Sequence, residues 1–345
     1  MEYGAIDLHM KRSHVRIVSE DGSVIWKGRI DTRRAEFERV FASRSPMRIL
    51  LESSTESEWV AQTLESMGHV VVVADPNYAA MYGTRNRRIK TDERDVTALG
   101  DANRLGVYRA AHRVSAAQRQ VRRELRVRSH LVQMRTRTIG LLRALLRQDG
   151  LRVPTGSADR ILLRLQQVAV PAALEAVIAP LRHLLAELNT QLAEAEVRVD
   201  ARANGDAVVE RLMTAPGVGP IVALAFRAVL DDPARFGGDA RRVSAFVGVV
   251  PSEDSSAERR QKGHITKMGP TELRALLVQA SWVIWRGRSP EGATLRAWAH
   301  ALADRRGRRI AIIALARRLT RILYAMWRDG TDFGDRPRVR VSVAA

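Results

Sequence analysis

The sequence predicts an α/β fold followed by helices. Residues 1–106 read as a mixed sheet, 107–205 as a basic coiled-coil arm, and 206–330 as a mostly α-helical domain with a helix-hairpin-helix-like element; 331–345 read as a flexible tail. Three observations carry this division. Short β-rich runs give way to strands alternating with helical segments in the first part. Apolar residues recur at heptad spacing in the second. Amphipathic helical stretches punctuated by Gly and Pro make up the third.

Tyr3–Leu8, His14–Ser19 and Val24–Arg29 are short, rich in β-formers and separated by charged or Gly-containing turns, so they read as a three-stranded meander. Arg33–Ala42 has helical composition, Met47–Glu52 reads as a buried strand, Glu56–Met67 as a helix and His69–Ala74 as a further strand. The helical crossovers make these later strands parallel.

Asp7 and Glu52 then fall at strand ends. Asp92 and Asp95 share one face of a predicted helix start through their i, i+3 spacing. Carboxylates gathered in this way repel one another until a cation neutralises them. Four hard oxygen ligands suit Mg2+ or Mn2+, which activates a water or steadies a leaving oxygen in phosphoryl transfer. For any single acid, and for Asp92 above all, a helix cap or a surface charge is the simpler account. The set of four, each at a strand end or a first helical turn, argues for a site.

The segments IDLHMKR, LLES, VADP and KTDERD resemble the N-terminal RNase H-like domain of the DEDD transposases of bacterial insertion sequences, with KTDxxD the most specific match. Some members of that family are bridge-RNA-guided recombinases. The resemblance continues to about residue 330. It implies an acidic tetrad of Asp7, Glu52, Asp92 and Asp95 that binds Mg2+ or Mn2+. The stretch SSTESEW after Glu52 departs from the family's small-residue turn, which sets Glu56 and Glu58 in competition with Glu52 for the second place.

Residues 109–152 carry twelve arginines against two acids, Glu124 and Asp149. Leu125, Val132, Ile139 and Leu146 form one heptad column; the next reads Val114, Val121, Arg128, Arg135, Leu142 and is polar at its centre. In the second helical segment Leu174, Leu181, Leu188 and Ala195 form one column and Ile178, Leu185, Leu192 and Val199 the other. Paired helices follow, joined through Leu151–Ser157. Pro180 is expected to break or kink the second helix, so that its continuous part begins there. Either the pair is an intramolecular spacer, or it is an oligomerisation arm whose Arg face tracks a phosphate backbone. The family uses this region to join protomers and contact RNA, so the resemblance implies a homo-oligomer, dimer or tetramer, and a structured guide RNA.

In the third part, Val208–Met213, the turn APGVGP and the helix Ile221–Leu230 resemble a helix-hairpin-helix. Gly217 and Gly219 would there let backbone N–H groups approach a phosphate, the alternative being a tight turn between core helices. Phe246–Val250 leads into the polar loop Val249–Gly269, where Ser255 and Ser256 are followed by Arg259, Arg260, Lys262, His264 and Lys267. A serine hydroxyl becomes an effective nucleophile when cations hold a phosphate and absorb its developing charge. A solvated basic loop on a DNA backbone is the competing account. Thr271–Trp285 reads as an amphipathic helix and Arg305–Trp327 as a basic helical stretch. The family's nucleophilic serine lies five residues after a proline, here Pro251, so the resemblance points to Ser256. Ser255 is the neighbouring alternative, because Ala257 replaces the family's glycine.

The formal charge of +19 points to a polyanionic partner. No run nears the roughly 20 apolar residues of a spanning helix, and the N-terminus does not read as a signal peptide. Absent cysteines suit a cytoplasmic protein and exclude thiolate chemistry. The resemblance implies strand exchange between element ends and target DNA, through a phosphoserine intermediate, guided by a bridge RNA. The alternatives are a metal-dependent structure-specific nuclease or junction resolvase that uses water, and a non-catalytic nucleic-acid-binding protein.

Overall fold

In the computed structural model, residues 1–83, 92–255 and 260–334 are described. The chain divides into two compact units, Met1–Val114 and Ser115–Ala345.

The first unit contains β1 (Tyr3–Asp7), β2 (Arg12–Val18), β3 (Val24–Asp31), α1 (Arg34–Phe41), β4 (Arg48–Glu52), α2 (Ser57–Ser66), β5 (Val70–Ala74) and α3 (Asp92–Leu105). The strand order is β3-β2-β1-β4-β5. β1–β2 and β2–β3 are antiparallel, and β1–β4 and β4–β5 parallel, as crossovers through α1 and α2 require. Alternation along each strand divides the core between two faces. Ile6, Val15, Ile17, Ile49 and Leu51 pack with Phe37, Phe41, Val60 and Leu64 of α1 and α2. Ala5, Leu50 and Ala74 pack with Val96, Leu99 and Ala102 of α3.

This unit extends past residue 106. Ala74 bridges to Ala110, Arg109 pairs with Asp75, and Arg113 binds both Glu58 and Glu65. The first two arginines of the basic run therefore hold the edge of the sheet rather than the arm.

In the second unit, α4 (Ala116–Gln148) and α6 (Ala172–Ala203) form an antiparallel hairpin, with α5 (Ile161–Leu165) in the connection. Its rungs are Arg202–Glu124, Arg128–Glu196 at 2.9 Å, and Arg135 Nη1 donating to Asn189 Oδ1 at 3.2 Å. Each α4 helix residue adds about 1.5 Å, so its 33 residues span about 50 Å. The polar centre of the α4 column is thus filled by arginines turned toward α6. Apolar residues close both ends: Ile139, Leu142, Leu146, Ile178 and Leu185 near the tip, Val121, Val199 and Ala203 at the base. Arg122 is also used internally, capping the Ala228 and Val229 carbonyls, while Arg123, Arg126, Arg137 and Arg147 stay exposed.

α6 runs unbroken through Pro180, so its continuous part begins at Ala172 rather than at the proline as expected from sequence. Proline removes one helical hydrogen bond and costs about 3 kcal/mol in a free helix. Here Leu174 and Ile178 before it and Leu181 and Leu185 after it pack into the tip core, and the Arg182–Glu175 ion pair spans it. That packing outweighs the loss. The column of α6 is buried within its own chain, so Leu185→Asp should cost about 4 kcal/mol or more, read as a lower midpoint in urea unfolding. Unchanged stability with a lower mass in light scattering would instead mean that the column joins separate chains.

The rest of the unit comprises α7 (Ala207–Met213), α8 (Pro220–Leu230), α9 (Ala240–Val247), β6 (Pro251–Ser255), β7 (Arg260–Ile265), α10 (Thr271–Arg286), α11 (Ala293–Arg306) and α12 (Arg308–Asp329). The predicted basic stretch Arg305–Trp327 is two helices, separated at Gly307 with φ 83°. α12 is the spine of this core: Ala311, Ile312, Leu315, Ala316, Leu319, Leu323 and Tyr324 are buried at helical spacing, and its arginines lie on the other side. No helix among the described residues is long and apolar enough to cross a membrane.

Candidate active site

The first cluster forms where strand alternation and one helix start coincide. Asp7 follows Ala5 by two residues and Glu52 follows Leu50 by two, so both strand ends face α3. Their strands are neighbours, with Ile6 opposite Leu51 on the preceding rung. α3 begins at Asp92, and its position is pinned at the far end by Asn103. That fully buried amide donates to the Gly4 carbonyl at 2.7 Å and the Arg48 carbonyl at 2.9 Å, and accepts from Arg48 at 2.8 Å. The first turn of α3, at the positive end of the helix dipole, therefore meets the acids, where it offsets part of their repulsion.

Two histidines complete the cluster. His9 Nε2 lies 3.3 Å from Asp7 Oδ2 and 3.8 Å from Asp92 Oδ1. His14, opposite Asp7 in the β1–β2 register, places its Nε2 3.3 Å from Asp92 Oδ2. One ligand atom each from Asp7, His9 and Asp92 lies within 4.8 Å of the others. Asp7 and Asp95 are each only 7% exposed, whereas the Asp92 side chain is 54% exposed. Burial pushes the Asp7 carboxyl above the usual range; the His9 charge opposes this, and the Asp95 and Asp92 charges add to it.

Asp7 and Asp92 thus come together, Asp95 lies within electrostatic reach, and Glu52 ends the adjacent strand. Its two competitors are engaged on α2, against the opposite face of the sheet. Glu56 accepts from the Trp59 indole at 2.5 Å, and Glu58 pairs with Arg113 at 3.1 Å. His9, His14 and Asn103 were not singled out from sequence. The signals were present: an imidazole two residues past a strand-end acid, another opposite it in a short antiparallel turn, and an amide in the stripe Asp92, Val96, Leu99, Asn103. The donor set suits a divalent ion. Six-coordinate Mg2+ holds adjacent ligands about 3 Å apart and opposite ones about 4.2 Å apart, close to the separations here.

The second cluster is on the hairpin of β6 and β7. The segment expected as a loop pairs as two strands, Pro251 with Ile265, Glu253 with Lys262 and Ser255 with Arg260. Ser256 and Arg259 lie outside the described residues; for Ser255, Arg260 and Lys262 the backbone pairing is what is described. His264 and Lys267 are exposed at the outgoing strand and just past it.

The base of this hairpin is pinched. Gly248 has φ 75° and Gly269 φ 77°, and side chains there would collide with the Met268 and Phe246 carbonyls. Arg274, only 8% exposed, donates to the Val247 carbonyl at 2.9 Å and the Met268 carbonyl at 3.0 Å. Gly248→Ala combines a left-handed backbone with this collision. It should cost about 2–4 kcal/mol in denaturant unfolding of the second unit; a change below about 0.5 kcal/mol would mean that the base is loosely held.

The glycines of the APGVGP turn differ. A Cβ at Gly217 would lie 2.7 Å from the Ala280 carbonyl oxygen and 2.9 Å from Ile284, so this glycine lets the turn pack on α10. Gly219 is the N-cap of α8 and faces open space.

Residues 5–149 match a transposase family model of the DEDD, IS110 type, and residues 209–295 match the model described as "Transposase IS116/IS110/IS902 family". The chain is 29% identical over 300 residues to a "Probable family 20 transposase" of Pseudomonas aeruginosa, covering 85% of this chain and 88% of that one. It is 29% identical over 320 residues to the "Transposase for insertion sequence element IS1111A" of Coxiella burnetii, covering 90% and 85%. With the "Transposase for insertion sequence element IS1328" of Yersinia enterocolitica the identity is 25% over 330 residues, covering 95% and 97%.

Proposed function

Because the chain belongs to the DEDD transposases of insertion sequences and is a DNA transposase, we propose that it exchanges DNA strands through a phosphoserine intermediate. The carboxylates Asp7, Glu52, Asp92 and Asp95 hold Mg2+ or Mn2+, and a structured guide RNA directs the reaction. The observation that carries this reading is the convergence of Asp7 and Asp92 at the end of β1, with Asp95 acting on the same carboxyl. The strand order β3-β2-β1-β4-β5 supports an RNase H-like unit.

The ion, when bound, supplies positive charge for phosphoryl transfer. The chain's own groups do the rest. The Ser256 Oγ–phosphorus bond forms as the bond from phosphorus to the leaving deoxyribose oxygen breaks. The serine proton departs to an acid or water, and the leaving oxygen gains one. A hydroxyl of the incoming strand reverses the step, so the phosphodiester energy is conserved and no nucleotide triphosphate is needed. Arg260, Lys262, His264 and Lys267, with Arg259, hold the phosphate oxygens, and the open start of α8 at Gly219 offers a further contact.

The exposed Arg123, Arg126, Arg137 and Arg147 of α4 support RNA or DNA backbone binding. Leu141 and Leu184, 51% and 39% exposed at the same level of the hairpin, support docking of a second copy to give a homo-oligomer.

The test is strand exchange by the full chain purified with RNA from its own locus, on paired donor and target DNA. Joined products should require a divalent ion and be lost after RNase treatment. Hydrolysed ends without joined product would favour the water-using nuclease, and joining that survives RNase would remove the guide RNA.

A further inference from the structure

We infer that His9 is itself a ligand of the divalent ion, which makes the centre selective for Mn2+ over Mg2+. This rests on the metal site proposed above and adds to it a donor outside the four carboxylates.

The placement of His9 is specific. It leaves the end of β1, and its carbonyl accepts from Thr32 Oγ1 at 2.7 Å, while Thr32 N–H donates to the Lys11 carbonyl at 2.9 Å. Ser13, fully buried, shares a 2.7 Å hydrogen bond with the same Thr32 hydroxyl. The β1–β2 turn is thus tied to the end of β3, and the imidazole projects from an anchored backbone. Its Nε2 lies close to both Asp7 and Asp92, at 3.3 and 3.8 Å. Asp7 Oδ2 is enclosed, and the group that faces it is the His9 imidazole, at 3.3 Å. An enclosed carboxylate oxygen, a second carboxylate and an imidazole nitrogen aimed at one point form a three-atom face that one ion can span.

His14 has a different part. Its Nε2 reaches Asp92 Oδ2 and is not recorded near Asp7. This contact leaves Asp92 Oδ1 as the oxygen on the His9 side, so His14 orients a ligand without being one.

The nitrogen donor decides the choice of ion. Mg2+ is hard, takes oxygen ligands and gives up water reluctantly. Imidazole suits first-row transition ions, and carboxylates suit Mg2+ and Mn2+ alike. Among ions compatible with a carboxylate-rich set, Mn2+ is the one that also gains from a single imidazole.

The experiment titrates the full chain, without nucleic acid, with MnCl2 and reads bound Mn2+ by electron paramagnetic resonance and its nitrogen coupling by electron spin-echo methods. Wild type should show 14N coupling. His9→Gln should abolish that coupling and weaken Mn2+ binding by about tenfold or more, with Mg2+ affinity, measured by competition, changed less than about threefold. His14→Gln should retain the coupling. His9 has a half-exposed side chain and is absent from the core clusters, and a circular-dichroism melt of each variant verifies folding. Bound Mn2+ without nitrogen coupling, or coupling lost only in His14→Gln, overturns the assignment while leaving the carboxylate site intact. Mn2+ binding that is absent in wild type, or unchanged by Asp7→Asn, overturns the metal site as a whole.

Discussion

Replacing Ser256 with alanine should eliminate the covalent protein–DNA adduct and lower strand exchange by about a thousandfold or more. A nucleophile removed from a covalent mechanism leaves only binding and charge stabilisation, neither of which can form the bond. Ser255 ends β6, its backbone paired with Arg260 at the start of β7, and Ser255→Ala should slow the reaction by about tenfold while keeping the adduct. The measurement uses a DNA nicked just beyond the scissile phosphate. The leaving fragment then diffuses away, and the adduct accumulates on a denaturing gel. Peptide mapping identifies the serine. An adduct that persists in Ser256→Ala and vanishes in Ser255→Ala would exchange the two roles. An active protein with no adduct would mean that water attacks.

Asp7→Asn should lower strand exchange by about a hundredfold or more while DNA binding stays within about threefold, because the exposed arginines proposed to bind phosphate are on α4. The same variant makes a second, opposite prediction for stability. Burial raises the folded-state pKa of Asp7, with the Asp95 and Asp92 charges adding and His9 opposing. The folded protein therefore holds its proton at pH values where the unfolded chain has released it. Stability from this group is full below the unfolded carboxylate pKa and is lost as pH rises through the raised folded value. In EDTA, the wild-type melting temperature should fall as pH climbs just above the ordinary carboxylate range. Asp7→Asn should flatten that slope and melt higher at neutral pH. Added Mn2+ should stabilise wild type and leave the variant unchanged. A variant that melts lower at neutral pH, with the slope retained, would contradict this account of the site.

The sheet was legible because its signals are local. Alternation and turn residues located all five strands of the first unit to within about two residues, and Asp7 and Glu52 were legible as strand-end positions. Asp92 and Asp95 were legible as an i, i+3 pair. His9 and His14 were not, because their relevance depends on a register that pairs β1 with β2, and single residues carry no trace of it. The strands β6 and β7 read as a loop because their residues are mostly polar. What holds their base, the Gly248, Gly269 and Arg274 clamp, lies outside the strands themselves. Pro180 misled for the converse reason: a local helix-breaking rule was overridden by packing around it. Arg305–Trp327 read as a basic helical stretch because its paired arginines stand out in the sequence. The apolar residues between them, four turns of buried stripe, carry the core.

The pinched base of the β6–β7 hairpin has a consequence for how such a protein diversifies. The chain enters and leaves through one point fixed by Gly248, Gly269 and Arg274, all outside the two strands. The enclosed segment is therefore an exchangeable cassette. Changes within it should leave the helical core undisturbed so long as the two glycines and the arginine are kept. A chimaera built at these borders should combine the donor's segment with the recipient's scaffold. Substitution at the borders should be purged far faster than substitution within them.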